Sequence, residues 1–123
     1  MELDMNSDKP LFVTISRWLE DLIITGVHGE EEQIPSTTDV SVTFKINPAT
    51  VLKGVNMLVD AGLIYKKRGM GMFVAEGARK KLLLKRRDEF LEEFVVPLMR
   101  EAKRLGIEVD ELKEMIGNVI LEM

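Results

Sequence analysis

The sequence has no cysteine among its 123 residues and a single histidine, His28. Without thiols it forms no disulfide, builds no thiolate zinc or iron–sulfur centre and offers no cysteine nucleophile. One histidine cannot make a histidine-rich metal site, and it leaves little scope for a serine–histidine catalytic pair. Aromatic residues are few, at 6%, and no apolar run approaches the roughly 20 residues that span a bilayer. The opening Met1-Glu2-Leu3-Asp4-Met5 lacks the basic and apolar regions of a secretory signal, so a cytoplasmic chain is expected. The carboxylate pairs stand beside no nucleophile, metal ligand or histidine. Neither an enzyme nor a cofactor is expected.

What is present is enough for a core: 46% of the residues are hydrophobic, which suits one small domain with an appended element. The net charge of −4 conceals a strong segregation. From Lys45 to Arg87 there are eleven bases and two acids, a balance of +9. The other residues hold six bases and nineteen acids, a balance of −13. Such asymmetry points to one surface that meets a polyanion, while the rest keeps the chain in solution. For the run Arg79–Arg87 alone, a solvated helix face is an equally simple account.

Pro10 suits the first turn of a helix, and Phe12, Ile15, Trp18, Leu19, Leu22 and Ile23 recur at three- and four-residue spacing until Thr25-Gly26 ends the stripe. Val27–Gln33 reads as an acidic, polar loop. Ser36 is a favoured N-cap for a short second helix over Thr37–Phe44, with Asp39 three residues on. After a tight turn at Lys45-Ile46, Asn47 and Pro48 both mark the start of a third helix, with Val51, Val55, Leu58 and Val59 as its buried stripe and Gly62 as its stop. Leu63–Arg68 and Met72–Ala75 read as the strands of a hairpin turning at Gly69-Met70-Gly71. From Ala78 to Leu105 the pattern is helical, with Pro97 demanding a kink or a lost hydrogen bond. Gly106 stops it, and a last helix covers about Val109–Leu121.

A short helix, a tight turn and a second helix followed by a hairpin form the scaffold that reads DNA through the N-terminal turn of the second helix. That turn carries Asn47, Ala49, Thr50 and Lys53, at a helix end whose amides and dipole favour phosphate. Ser36, Thr37 and Thr38 open the preceding helix and can donate to a phosphate. Lys66, Lys67 and Arg68 gather charge at a turn whose glycines, Gly69 and Gly71, flank Met70 and allow close approach to a backbone. Capping alone also accounts for Ser36 and Asn47, and any tight hairpin asks for such glycines. Their order and spacing together give the DNA-binding reading.

The chain resembles the GntR family of bacterial transcriptional regulators. The resembling stretches are Ile34–Asp39, Ile46–Val51, Asp60–Ile64 and Arg68–Ala75. The 48 residues after Ala75 are too few for the large effector domain of most members, and with the Asn-Pro-x-Thr-Val start of the recognition helix they resemble the YtrA-like subfamily. The resemblance implies a homodimer that represses from a palindromic operator in double-stranded DNA, often at operons for ABC transporters or envelope functions. The family commonly has arginines where Thr38, Pro48 and Leu52 stand here. Base reading is therefore expected to lean on Thr50, Asn47, Ala49 and Lys53, with Lys67–Gly71 working in or near the minor groove.

The expected fold is mainly α with a small β-hairpin: an N-terminal winged helix–turn–helix over residues 1–76, then two C-terminal helices over residues 77–123. Those helices carry more apolar side chains than they can bury alone. Phe90, Leu91, Phe94, Leu98, Leu112, Met115, Ile116, Val119 and Ile120 are the expected dimer interface. Folding back onto the first helix is the other way to cover them. A small-molecule effector would sit at that interface or between the winged helix and the C-terminal helices, where Met70, Met72, Met99, Met115 and Met123 could line an adaptable pocket, although methionine more often fills a core. A winged helix that docks a protein and reads no DNA is the alternative function.

Overall fold

The first three helices begin and end where the sequence supplies caps. The computed structural model describes residues 3, 5 and 8–122, with 121 and 122 by backbone alone; the segment Met1–Met5 read above thus lies mostly outside the described residues, as does the expected pocket residue Met123. Helix α1 spans Leu11–Ile24, and Pro10 before it accepts from the amides of Val13 and Thr14. It closes at Thr25, whose hydroxyl donates to the Asp21 carbonyl at 2.8 Å. Helix α2 spans Thr37–Phe44; Ser36 Oγ accepts from the Asp39 amide at 3.0 Å. Its end is sharp because Lys45 takes the left-handed conformation (φ 55°, ψ 48°). The Ile46 amide then reaches back to the Ser41 carbonyl, and the Ser41 hydroxyl donates to Ile46 O at 2.6 Å. This knot is the turn of the helix–turn–helix, and α3 follows over Pro48–Asp60.

Strands β1 (Ile64–Lys67) and β2 (Gly71–Val74) pair antiparallel, from Ile64 opposite Val74 to Lys67 opposite Gly71. The segment expected to be a free acidic loop does more. Glu31 donates to Val74 O at 2.8 Å, Val74 to Glu32 O at 2.9 Å and Ile34 to Met72 O at 2.9 Å. Residues 31–34 therefore run along the outer edge of β2, with Gln33 bridged to Phe73.

The core of this unit gathers Ile15, Leu19 and Ile23 of α1, Val40 of α2, Val51, Val55 and Leu58 of α3, and Leu63, Ile64 and Val74 of the hairpin region. Leu3 joins it. Trp18 packs edge-on against Phe44, ring centroids 5.2 Å apart. Helices α1 and α3 cross closely at Gly54: a Cβ there would lie 2.7 Å from the Phe12 carbonyl oxygen and 2.9 Å from Ile15 Cγ2.

The chain divides into two compact units, Met1–Leu84 and Lys85–Met123. Helix α4 (Ala78–Phe90) begins in the first, where Ala78 and Leu82 enter the core. It runs into a π-helical turn over Leu91–Val95 and then α5 over Val96–Arg104. Pro97 is expected to kink this helix or cost it a hydrogen bond; the structure meets that demand by widening the backbone just ahead of it, with the Val96 amide bonded to Leu91 O five residues back. Proline has no amide hydrogen to give, and the wide turn leaves it in the first turn of α5, where none is missed. After Gly106 (φ 70°), α6 spans Val109–Glu122. Among the described residues of this unit only Ala102 and Leu112 are buried hydrophobics. Leu112, one of the residues expected at the dimer interface, is 6% exposed within the chain. No helix of the described residues is long and apolar enough to cross a membrane.

Candidate nucleic-acid interface

The N-terminal turn of α3 is built by its cap. Asn47 Oδ1 accepts from the Ala49 amide at 2.8 Å, and Asn47 O accepts from Thr50 at 3.0 Å and Val51 at 3.2 Å. Pro48 has no amide hydrogen, so the amides expected to attract a phosphate are missing or occupied here. What α3 offers outward is side chains: the exposed Asn47, whose amide nitrogen is left free to donate, the exposed Ala49 and the half-buried Thr50. Among the described residues the Thr50 hydroxyl has no partner. Lys53 is exposed, its ammonium 4.0 Å from the centre of the Phe12 ring, a cation–π contact that holds it beside the first turn of α1. A shallow depression of about 380 Å³ lies there, between Phe12 and the outward residues of α3.

Helix α2 behaves differently at its start. Ser36 takes the amides of Asp39 and Val40, while those of Thr37 and Thr38 meet no acceptor among the described residues. Donors aimed out of a helix N-terminus form an anion site together with its dipole. This end, not that of α3, keeps them.

The hairpin carries the other cations. Lys66 and Arg68 are exposed, whereas Lys67 is half-buried, with its ammonium 4.3 Å above the Phe73 ring and 5.9 Å from that of Tyr65. Gly69 and Met70 are exposed at the tip, between backbones at φ 76° for Gly69 and 109° for Gly71. Gln33, which the sequence reading passed over, donates from Nε2 to Met70 O at 2.8 Å. Tyr65 donates its hydroxyl to the Glu31 carboxylate, and that hydrogen bond, then partial burial and the Glu31 charge, hold the phenol above its ordinary 10.0.

Two bases of the positive segment serve the fold. Arg79 Nε donates to Ile24 O at the end of α1, 3.0 Å away, and Lys81 Nζ to Ala61 O at the end of α3, 2.6 Å away. Cations at helix C-termini meet unpaired carbonyls and the negative end of the dipole. Position in the sequence gave no sign of this, because the carbonyls are 55 and 20 residues away.

No family model matches the chain. A solved structure described as a transcriptional regulator of the GntR family from Bacteroides thetaiotaomicron is 33% identical, covering 92% of this chain and 98% of its own, with a TM-score of 0.78. The chain belongs to the GntR family. The transcriptional repressor YtrA of Bacillus subtilis is 26% identical over 119 residues, 97% of this chain and 91% of its own length. This GntR chain thus matches YtrA through the C-terminal helices as well as the winged helix, as a YtrA-like member should. The DNA-binding domain of AraR, solved in complex with the operator ORX1, is 27% identical over 55% of this chain, with a TM-score of 0.53. The GntR chain is a DNA-binding transcriptional regulator with a winged helix–turn–helix, and no enzyme.

In the C-terminal unit of this regulator, Phe90, Leu91, Phe94, Leu98, Met115, Ile116, Val119 and Ile120 are all 43% exposed or more. Phe90 and Phe94 stack with centroids 5.7 Å apart. A groove of about 700 Å³ lies between α5 and the start of α6, floored by Leu91, Val95, Val96, Ile107 and Val109. Of the methionines named as pocket residues, Met99 lines it; Met70, Met72 and Met115 do not.

Proposed function

We propose that this regulator represses transcription from the cytoplasm, binding a palindromic operator as a homodimer. Its kinship with YtrA makes an ABC-transporter or envelope operon the proposed target. The observation that carries the reading is a set of exposed polar groups without partners among the described residues: on the outward turn of α3, at the two free amides of α2 and on the tip of the hairpin. Lys45, Lys66 and Arg68 make no ion pair or hydrogen bond among the described residues.

In this reading α3 enters the major groove. The Asn47 amide nitrogen and the Thr50 hydroxyl reach base edges, the Ala49 methyl meets a thymine methyl, and Lys53 leaves the Phe12 ring for a guanine or a phosphate. Ser36, Thr37 and Thr38 hold the backbone, and Lys67, Arg68, Gly69, Met70 and Gly71 follow it in or near the minor groove. Two copies place their α3 helices about one turn of DNA, roughly 34 Å, apart. The exposed apolar residues of α5, α6 and the π turn would be covered by the second copy; Leu112 stays internal.

The test is binding to duplex from just upstream of the chain's own gene against random duplex, by fluorescence anisotropy at two salt concentrations. The expected result is preference for the upstream duplex by a factor on the order of 10³ or more, falling steeply with salt. Equal binding to both would sink the sequence-specific reading. No binding to either at low salt would leave a protein-docking module.

A further inference from the structure

We infer that Gln33 is a positioning residue for DNA binding: it latches the tip of the hairpin in the conformation that meets the backbone. The inference rests on the reading that this tip touches DNA. A two-stranded hairpin standing alone is marginal in water, and a tip with two glycines at positive φ has much freedom to lose on binding. Three backbone hydrogen bonds lay residues 31–34 along β2, and this brings the Gln33 side chain beside the turn. There Nε2 donates to Met70 O at 2.8 Å, while the Met70 amide donates to Lys67 O at 2.9 Å. Both backbone groups of the residue at the tip are thereby held.

Gly71 is fitted to the same contact. A Cβ on it would lie 2.6 Å from Gln33 Nε2, so the missing side chain supplies room for the amide as well as the positive φ. The latch is anchored at both ends. Upstream, the Glu30 carboxylate accepts from the Gly77 amide at 2.7 Å and Glu31 from the Tyr65 hydroxyl. Downstream, Ile34 is buried and Ser36 caps α2. One short segment therefore ties the hairpin tip to the start of the helix that presents its free amides outward. Ordering both before DNA arrives lowers the entropy lost on binding.

The experiment compares the unaltered chain with Gln33→Ala, Arg68→Ala and the double variant. Two readouts are used: anisotropy on the upstream duplex and on random duplex at low salt, and amide hydrogen exchange without DNA. Gln33→Ala is expected to speed exchange at Met70 and Gly71 while leaving α1 and α3 protected. It should weaken DNA binding by about fivefold to tenfold, roughly what one hydrogen bond is worth. Arg68→Ala should also weaken binding, and the double variant should be little worse than Arg68→Ala alone, since the latch acts through the tip. Multiplying losses, or unchanged exchange at the tip, would overturn the latch. Faster exchange with no DNA binding by the unaltered chain would overturn its role in binding and the DNA reading with it. Binding that ignores Arg68→Ala would overturn the role of the tip, and so the inference.

Discussion

At position 54 a glycine does what no other residue can. Alanine is ordinarily the better helix former by about 1 kcal/mol. Here its methyl would stand 2.7 Å from a backbone oxygen of α1, which cannot swing aside as a side-chain end could. Gly54→Ala is therefore expected to destabilise the first unit by about 1–3 kcal/mol, the usual cost of overpacking. Chemical unfolding followed by the single tryptophan measures it; a variant as stable as the parent would show that α1 and α3 separate freely. Tyr65 gives a second residue-level test, because it is the only tyrosine in the chain. Its raised pKa comes first from the hydrogen bond to Glu31. The neutral phenol is the bonded form, so the stabilisation is complete below 10 and is lost as pH rises through the folded value. An ultraviolet titration should find the phenol ionising above 10.0, and Glu31→Gln should bring it back toward that value. No movement would mean that the bond is not populated in solution.

Elements whose limits depend on caps were legible in the sequence: Ser36, Asn47 and Pro48 set the starts of α2 and α3, and the hairpin strands were found to within a residue or two. Elements made by remote partners were not. Residues 31–34 show no alternation, and only their pairing with β2 makes them part of a sheet. Periodicity likewise could not separate Leu112, turned inward, from Ile116 one turn later, which is 44% exposed. The exposed outward turn of α3 was legible, because its residues follow directly from the cap. The Gln33 contact was not, since it spans 37 residues. The same distance effect hid the clamps that Arg79 and Lys81 place on the ends of α1 and α3. Replacing both by methionine should lower the thermal midpoint while leaving the slope of log affinity against log salt unchanged. Lys53→Ala and Arg68→Ala should do the reverse, each reducing the slope on the two-site operator by about two, as expected when one phosphate contact is lost from each of two copies. A salt slope that fell in the Arg79 and Lys81 variant would place those cations on DNA after all.

For the molecule as a whole, affinity and assembly are one question. In the proposed reading a single winged helix makes only a few phosphate contacts, and no arginine stands on the outward turn of α3 to grip guanine. Doubling is what would make such a reader effective, because the second half-site is then engaged at a high effective concentration. In that reading the C-terminal unit carries the means: among its described residues eleven large apolar side chains stand exposed, Phe94, Leu98, Ile116 and Ile120 among them. Ile116→Glu puts a charge among them at a position that is 44% exposed. It is expected to yield a monomer by sedimentation, with the helix content and the tryptophan signal of the first unit retained. Affinity for the two-site operator should fall by about a hundredfold or more. The salt slope should fall to about half, since half of the phosphate contacts go with the lost copy. A monomer that still binds the operator at full strength would break the link between assembly and reading; a persistent dimer would move the interface away from these helices.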